Sequence, residues 1–417
     1  MLTFYGTGMI LGAGIYSIIG QAADLAGAGV WQGFALAAVA ALLTALSYAE
    51  LATLFPKAGG EYVYLRNAFP RKRWIAATTG ILMTFAGCAT AATVALAFSS
   101  YLQYFVSAPR FLVAGSLLAF FTAVNIFGIK QSSWVNAIFT LIEAAGLILF
   151  IWLGWQSPTF GHALSATPSL QVVSSAALII FAYFGFENIV NLAEETKEPE
   201  KTIPRAILLS LGISTFLYIL VSLAAVALMP PEQLALTESA LTDAAKGSSV
   251  KIAGILGGIA LFSTANTALI ALITTSRIVY GISKDKSLPF MFSKTLAKKN
   301  TPWVAAIFVF ALSALLLPIG KIETVASVSA FVTMIAFIAV NIAIVALRIT
   351  SPNLNRPFRV PLSIYKIPMI PILGIIVCLI FLLQFKSEVY LISLAAMICS
   401  FGAYFLYGRT GRSASSF

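Results

Sequence analysis

The sequence is poor in charged side chains and in the residues that form reactive centres. Charged residues make up only 10% of its 417 positions and hydrophobic ones 59%, with one histidine and three cysteines. A water-soluble fold would need far more polar side chain to cover its surface. Cys88, Cys378 and Cys399 are scattered through apolar runs without metal-ligand or disulfide spacing, and His162 lies in a connection. We therefore expect lipid as the solvent, no metal site, no cofactor and no nucleophilic centre of an enzyme.

Long apolar runs account for most of the chain. A helix that crosses a bilayer needs about 20 mostly apolar residues, and twelve such runs can be placed in this sequence. Numbered helix 1 to helix 12 in chain order, they begin near Leu2, Val30, Trp74, Phe111, Val135, Val172, Pro204, Ile252, Trp303, Ile322, Pro368 and Tyr390. No charged leader precedes the first run, so we expect no removable signal peptide. The sequence predicts an all-α integral membrane protein with twelve transmembrane helices, in a single domain over residues 1–417.

The net charge of +11 is distributed as a membrane would require. If the amino terminus is cytoplasmic, all but five of the 26 Lys and Arg residues fall in cytoplasmic connections. The five outside are Arg110, Lys246, Lys251, Lys321 and Lys386. This split follows the positive-inside rule. It predicts a multi-pass protein of the cytoplasmic membrane with both termini inside, and it argues against nucleic acid as a partner.

Glycines interrupt two of the apolar runs at corresponding places. Gly6, Gly8, Gly12 and Gly14 lie in helix 1, and Gly185 lies in helix 6, a spacing that indicates a repeat of five helices. Broken helices at matched positions of two halves point to a transporter site, because unwinding frees backbone groups to hold a polar substrate. Glycines also let membrane helices pack closely. Both interpretations stay open on the glycines alone.

Five motifs then follow one another in order along the chain. They are residues 10–16 in helix 1, residues 48–64 after helix 2, residues 181–205 around helix 6, residues 284–289 after helix 8 and residues 356–361 after helix 10. Together they resemble the amino acid-polyamine-organocation superfamily of permeases over nearly the whole chain. The resemblance implies an inverted five-plus-five fold, with repeats at about 1–155 and 172–348 and two extra helices at about 367–407. It also implies an amino acid or a related amine as the substrate.

The resemblance assigns the substrate site to the two breaks. The amides of Gly12, Ala13 and Gly14 are expected to bind the substrate carboxylate, with help from the helix dipole. Carbonyls near Ile10, Phe181 and Phe184 are expected to accept from its ammonium. Phe181 also occupies the place of an outer gate. Tyr16, Tyr183 and Phe186 are weaker candidates, and all these rings have an alternative interpretation as ordinary packing aromatics.

Side-chain selectivity is expected from four small residues at the pocket positions of the family. These are Ala86, Gly87 and Ala91 in helix 3 and Ala271 in helix 8. Small residues leave room for a medium or large substrate side chain. Because none of the four is acidic, lysine, arginine and polyamines are mildly disfavoured.

Three acidic residues fall within or beside apolar runs, where a charge is costly. Glu50 lies near the cytoplasmic end of helix 2, where it can reach water or pair with a basic loop residue. Glu187 follows the helix 6 break and is either a proton sensor or gate residue or a helix cap. Glu143 stands in helix 5 at a position where, by the resemblance, many sodium-independent members of the superfamily carry a lysine. We predict that Glu143 controls ion coupling together with Ser263 and Thr267, with protons favoured over sodium; the alternative is that it merely faces a cytoplasmic water cavity.

The leading hypothesis is a secondary active, alternating-access amino acid transporter, coupled to protons. An amino acid or polyamine exchanger and a sodium-coupled carrier remain alternatives. From other classes, a sensor built on a transport fold stays open, whereas a channel would need a continuous polar stripe that the helices lack. The sequence makes no prediction about the oligomeric state.

Overall fold

The architecture is helical throughout. The structure, a computed structural model, describes residues 2–57, 59–128, 133–167, 169–296, 301–365 and 367–407. Its helices are, in chain order, α1 (Leu2–Leu11), α2 (Ala13–Ala26), α3 (Val30–Leu54), α4 (Gly60–Ala68), α5 (Arg73–Leu102), α6 (Arg110–Phe127), α7 (Ser133–Trp155), α8 (Phe160–Ala163), α9 (Gln171–Ile179), α10 (Pro199–Leu228), α11 (Pro231–Ala235), α12 (Ala240–Lys246), α13 (Val250–Lys284), α14 (Trp303–Leu316), α15 (Ile322–Thr350), α16 (Met369–Leu382) and α17 (Ser387–Tyr407).

Short 3₁₀ segments and one small hairpin complete the described chain. The 3₁₀ segments are Gly27–Gly29, Ile180–Tyr183, Phe186–Glu195, Phe290–Ser293 and Leu317–Ile319. Strands β1 (Ser363–Ile364) and β2 (Ile367–Pro368) pair antiparallel, with Ser363 opposite Pro368. This arrangement confirms the predicted all-α class.

The apolar runs become helices close to where the sequence predicts them. Within the described residues, nine stretches are long and apolar enough to cross a membrane, by length and composition. The first, Leu2–Leu54, is 53 residues long and contains α1, α2 and α3. Two shorter apolar helices, Trp303–Ile319 and Met369–Leu382, add to these. The number of crossings and the inverted repeat stay predictions.

Helix α10 begins earlier than the sequence predicts. The apolar run was expected to open at Pro204, but the helix starts at Pro199, after Glu198 in a left-handed conformation with φ 47°. Proline is well suited to the first helical position, because its missing N–H would have no partner there. Thr202, two residues before Pro204, has a side chain that is favoured at N-caps, and the sequence would place it as the cap of a helix that opens at Pro204. It instead lies inside the helix, where its Oγ1 donates to the carbonyl of Lys197 at 3.0 Å, and Glu198 occupies the N-cap position.

The two glycine-rich runs do break, and the breaks touch each other. Gly12, with φ −39° and ψ −145°, separates α1 from α2. The second break lies between the Ile180–Tyr183 and Phe186–Glu195 segments, where Gly185 adopts φ +126°. A Cβ atom on Gly185 would lie 2.7 Å from the backbone of Met9. Glycine is thus required at 185 both for its conformation and for the close approach of the two breaks.

Other glycines of helix 1 allow close helix packing. The glycine pattern therefore marks a helix break at some positions and a packing contact at others. A side chain at Gly6 would collide with Ile189 and Ser210, and one at Gly8 would collide with Thr140 of α7. Helix α1 accordingly packs against α7 and α10. Around this pair, α5 lies along α13 and α15, and α3 lies along α10.

A buried ion pair fastens α3 to α15. Glu50 is fully buried and accepts from Arg348 Nε at 2.9 Å and from the Val360 amide at 2.7 Å. Arg356 Nε lies 3.2 Å from the same carboxylate. The Glu50 charge is thus compensated by a basic residue of the connection, as expected, and also by one in the last turn of α15. This arrangement favours the structural interpretation of Glu50.

Candidate functional site

A cavity lies where the two breaks meet the long helices α5 and α13. It is lined by Gly8, Met9, Met83, Ala86, Gly87, Thr90, Phe184, Gly185, Glu187, Asn188, Thr267, Ile270, Ala271, Thr274, Thr275, Ile278 and Thr333. Its volume of about 90 Å³ is enough for several water molecules. Among these lining residues, Glu187 is the one acid, and the rest are apolar side chains, threonines, glycines and an asparagine. The site therefore combines apolar walls with a few polar groups, as small-molecule sites do.

The structure brings only part of the predicted site to this cavity. Six of the predicted site residues line it: Ala86, Gly87, Phe184, Ala271, Glu187 and Thr267. The other eight predicted site residues are outside the lining: Ile10, Gly12, Ala13, Gly14, Ala91, Phe181, Glu143 and Ser263. The predicted roles of both groups stay predictions, but the cavity is centred on the α1 side of the breaks rather than on Gly12 to Gly14.

Chain atoms already occupy the amides at the helix 1 break. The Ala13 amide donates to Thr267 Oγ1 at 2.9 Å, and that hydroxyl donates to the Ser263 carbonyl at 3.0 Å. The Gly12 amide donates to the Gly8 carbonyl at 3.2 Å. In this conformation, two of the three amides expected to bind a carboxylate therefore have internal partners.

Tyr218 of α10 joins the two breaks through its hydroxyl. Its Oη atom donates to the carbonyl of Ile10 in helix 1 and lies 3.1 Å from the carbonyl of Ala182 in helix 6. A phenol carries a single hydrogen, so it can donate to only one of the two at full strength. The ring is buried and packs against Phe34 and Tyr183, each with centroids 5.5 Å away. Tyr218 thus holds a carbonyl that was expected to accept from the substrate.

Glu187 caps the second break and lines the cavity at the same time. Its Oε2 accepts from the Gly185 amide at 2.8 Å, and its Oε1 accepts from Asn188 Nδ2 at 3.2 Å. The side chain is almost buried. Of the two hypotheses for Glu187, the helix-cap contact is thus present, and the position in the cavity keeps the gating hypothesis open.

Aromatic rings and tyrosine hydroxyls fill the opposite side of the breaks. Phe181 is only 4% exposed and packs edge-on against Phe184, with ring centroids 5.8 Å apart. Tyr101 Oη of α5 donates to the Tyr16 carbonyl of α2 at 3.0 Å. Tyr183 Oη donates to the Phe34 carbonyl at 3.0 Å. These contacts join α5 to α2, and the Ile180–Tyr183 segment to α3.

Glu143 lies in a separate buried polar cluster behind helix 1. It is fully buried, and within the described residues neither of its carboxylate oxygens has a hydrogen-bond partner. Ser263 and Asn266 of α13 are its polar neighbours, and Tyr16 lies within electrostatic reach. The hydroxyls of Ser263 and Tyr16 are likewise buried without a hydrogen-bond partner in the described structure. The donor set is made of oxygen and amide groups, which suit a proton, a water or a hard cation.

A family profile described as "Amino acid permease" matches residues 1–406. The chain belongs to the amino acid permease family. Membership confirms the resemblance drawn from the five motifs, and it makes the chain a multi-pass membrane protein. The family is described as a permease family, and the relatives described next are named as a permease and as transporters.

Relatives of this permease cover nearly its whole length. The branched-chain amino acid permease BcaP of Bacillus subtilis is 30% identical, over 98% of this chain and 92% of its own. A methylthioribose transporter of the same organism is 28% identical over the same shares. Cationic amino acid transporter 4 (vacuolar) of Arabidopsis thaliana is 28% identical over 87% of this chain and 64% of its own. These relatives support amino acid transport as the general activity.

Sequence reasoning missed several residues that form the site of this permease. Tyr218 was missed because a lone tyrosine in an apolar run has the pattern of a packing residue. Asn266 gave a usable signal, since an amide inside a long apolar helix is rare without a polar neighbour. Five threonines line the cavity, and of these only Thr267 was predicted: Thr90, Thr267, Thr274, Thr275 and Thr333.

Proposed function

We propose that this permease is a secondary active transporter that moves amino acids across the cytoplasmic membrane by alternating access. The observation that carries the proposal is the cavity at the junction of two broken helices. Broken helices offer free backbone groups to a zwitterion at the middle of the membrane. Phe181, Tyr16 and Tyr183, which do not line the cavity, are buried, and this burial supports access from the cavity side only.

The proposed topology has twelve crossings, arranged as two inverted repeats of five helices followed by α16 and α17. The breaks support it, because one lies in the first crossing and the other in the sixth. The charge distribution supports cytoplasmic termini. With that orientation, the cavity opens inward: Met83 lies in the Arg73 half of α5, and Ile278 lies in the Lys284 half of α13.

Phe181 is the proposed outer gate. Its ring lies beyond the cavity and packs on Phe184, which lines the cavity. A ring at this position would rotate away to admit substrate from outside. On this proposal, the present conformation is an inward-facing state with the gate closed.

A neutral amino acid with an aliphatic side chain is the proposed substrate. The cavity walls formed by Met83, Ala86, Ile270, Ala271 and Ile278 are apolar, which suits such a side chain. The name of the branched-chain amino acid permease that this chain resembles points the same way. Cationic amino acids are the second candidate, because Glu187 lines the same cavity and the chain also resembles a cationic amino acid transporter.

Glu143 is the proposed coupling residue, with protons as the favoured ion. A charged carboxylate without a partner in this buried cluster would be costly, and a protonated one could donate to Ser263 or Tyr16. Sodium is the alternative, held by the carboxylate and the hydroxyl oxygens. Thr267 is a weaker contributor than the sequence predicts, because its hydroxyl already donates to the Ser263 carbonyl and accepts from Ala13.

The test is uptake of a panel of labelled amino acids into liposomes that contain the purified protein, under imposed proton or sodium gradients. Wild type is compared with Glu143→Gln and Glu143→Lys. We expect concentrative uptake with an inward proton gradient, lost by about tenfold or more in both variants. Glutamine cannot load and release a proton, and lysine replaces a group that is neutral or negative by one that is neutral or positive.

Two other results would change the conclusion. Uptake driven by sodium and lost in Glu143→Gln would identify the alternative coupling ion. Uptake indifferent to both gradients but stimulated by internal amino acid would mean an exchanger, and Glu143 would have no coupling role. A protein that takes up no member of the panel would contradict the transport proposal itself.

A further inference from the structure

We propose that a basic pocket at the C-terminal end of α15 binds the phosphate group of an anionic phospholipid. The pocket has a volume of about 350 Å³ and shares no lining residue with the cavity at the two breaks. Three arginines, an amide, a leucine and a proline line it: Arg348, Arg356, Arg359, Asn355, Leu354 and Pro352. The inference goes beyond the proposed function, because the transport cycle proposed above does not use this pocket.

Two buried arginines form the wall of the pocket and set its charge. Arg348 forms the ion pair with Glu50. Arg356 donates from Nη2 to two carbonyls at the end of α15, that of Leu347 at 3.1 Å and that of Ser351 at 3.0 Å. The arginine side chains are 3% and 7% exposed, so both are held in place before a ligand binds. Three guanidinium groups and the one carboxylate of Glu50 leave this cluster with two positive charges in excess.

Arg359 supplies the donors that a ligand can use. It is exposed, and no hydrogen bond or ion pair joins it to another residue that the structure describes. A guanidinium with free N–H groups can bind a phosphate through two parallel hydrogen bonds. The side chain of Asn355, which is also exposed, adds an amide donor to the same pocket.

The three arginines act on one another electrostatically. Burial lowers the pKa of Arg356 from its usual value, and Glu50 opposes this change. The charges of Arg348 and Arg359 lower the pKa further, which means that each of them repels the Arg356 guanidinium. An anion bound in the pocket would relieve this repulsion.

Apolar side chains beside the pocket indicate that the phosphate belongs to a lipid. Leu354 lines the pocket and is 41% exposed. Arg348 Nη1 donates to Ser363 Oγ at 3.0 Å, which places the β1–β2 hairpin next to the pocket. On that hairpin Ile364 and Ile367 are 58% and 42% exposed. Exposed apolar side chains at a membrane protein's surface suit contact with acyl chains, whereas a soluble phosphate would have no use for them.

The proposed orientation places the pocket at the leaflet that is rich in anionic lipids. With cytoplasmic termini, the connection between α15 and α16 lies on the cytoplasmic side. The cytoplasmic leaflet carries the anionic phospholipids, and basic pockets between membrane helices on this side bind their headgroups. The excess positive charge should therefore select an anionic lipid over a zwitterionic one.

The test measures lipid binding to the purified, delipidated protein by native mass spectrometry. Wild type is titrated with phosphatidylglycerol and, separately, with phosphatidylethanolamine that has the same acyl chains. Both lipids carry a phosphate, and they differ in net charge. We expect wild type to bind the first phosphatidylglycerol roughly five- to tenfold more tightly than the first phosphatidylethanolamine.

Arg359→Gln should abolish most of this preference. The substitution removes the free guanidinium and leaves the ion pair of Glu50 with Arg348 in place. The ratio of the two affinities is the readout, because a general loss of folding would weaken both lipids alike. Arg71→Gln is the matched control: Arg71 is exposed in the connection between α4 and α5 and does not line the pocket, so the preference should remain.

Two further measurements identify the source of the phosphate. Leu354→Ser should weaken the binding of both lipids, because it removes an apolar contact, and should keep the preference for the anionic one. Inorganic phosphate is the soluble probe. Added to wild type in tenfold excess over phosphatidylglycerol, it should not displace the lipid.

The outcomes are distinct. Equal binding of the two lipids to wild type overturns the inference, and so does a preference that survives in Arg359→Gln or is lost equally in Arg71→Gln. Displacement of the lipid by inorganic phosphate, with lipid binding unchanged in Leu354→Ser, would overturn the lipid as the ligand and assign the pocket to a soluble phosphate. Because lipid binding is measured without transport, a failure here leaves the proposed function intact.

Discussion

Arg348 illustrates how much a single buried side chain contributes to this fold. It forms the ion pair with Glu50 and donates to Ser363 Oγ at 3.0 Å, and its side chain is only 3% exposed. We expect Arg348→Ala to lower the free energy of unfolding by about 3–5 kcal/mol, because Glu50 would remain as a buried charge with weaker compensation. The loss is measurable as a fall in the midpoint of denaturant unfolding in detergent.

The exposed pair Arg66 and Asp285 provides the matched control for Arg348. Their side chains are 44% and 36% exposed, and an exposed pair contributes about 0–1 kcal/mol. Arg66→Ala should therefore leave the midpoint almost unchanged. Equal effects of the two substitutions would show that the buried pair adds nothing beyond a surface contact.

For single residues, the sequence predicts a role correctly when that role follows from the residue's own charge and its surrounding apolar run. It does not predict a role that depends on a contact with a residue far away in the chain. Glu50 could be recognised as an acid in need of a basic partner, because its cost in an apolar helix is a property of the residue itself. The contact of Tyr218 with Ile10 joins positions far apart in the chain, and nothing in the residues around either one indicates it.

The two broken helices behave as one element, and Gly185 is the point where they meet. An alanine there would hold a positive φ and push its Cβ against the Met9 backbone. We expect Gly185→Ala to cost about 1–3 kcal/mol from backbone strain and to reduce uptake about tenfold or more, since the two breaks would separate. Gly212→Ala is the control, because a Cβ at Gly212 would meet no atom within 4 Å. Uptake by Gly185→Ala at the Gly212→Ala level would contradict the close coupling of the breaks.

The first residue of a helix was predicted correctly where the apolar run and the helix begin at the same residue. Helices α3, α14 and α15 start at the predicted Val30, Trp303 and Ile322. Helix α10 did not, because its first turn carries Glu200 and Lys201 outside the apolar run, and charged residues in the first turn are compatible with a helix that has left the membrane. The hydrophobic pattern detects the part of a helix in lipid, and the capping residues have to reveal the rest.

At the scale of the whole molecule, the conformation makes a prediction about access. If the termini are cytoplasmic and Phe181 is the outer gate, as proposed, the cavity residue Ala271 should be reachable from the cytoplasm and shielded from outside. In a background without the three native cysteines, Ala271→Cys should react with a membrane-impermeant thiol reagent in inside-out vesicles. In right-side-out vesicles it should react at least about tenfold more slowly.

The control for access is Ala91→Cys, which lies on the same helix bundle but is fully buried and outside the cavity lining. It should react slowly in both vesicle types. Adding the transported amino acid should then slow labelling of Ala271→Cys from the cytoplasmic side, because the ligand fills the cavity. Faster labelling from outside would reverse the proposed orientation. Equal labelling from both sides would mean that the outer contacts do not close the path, and alternating access would need a different gate from Phe181.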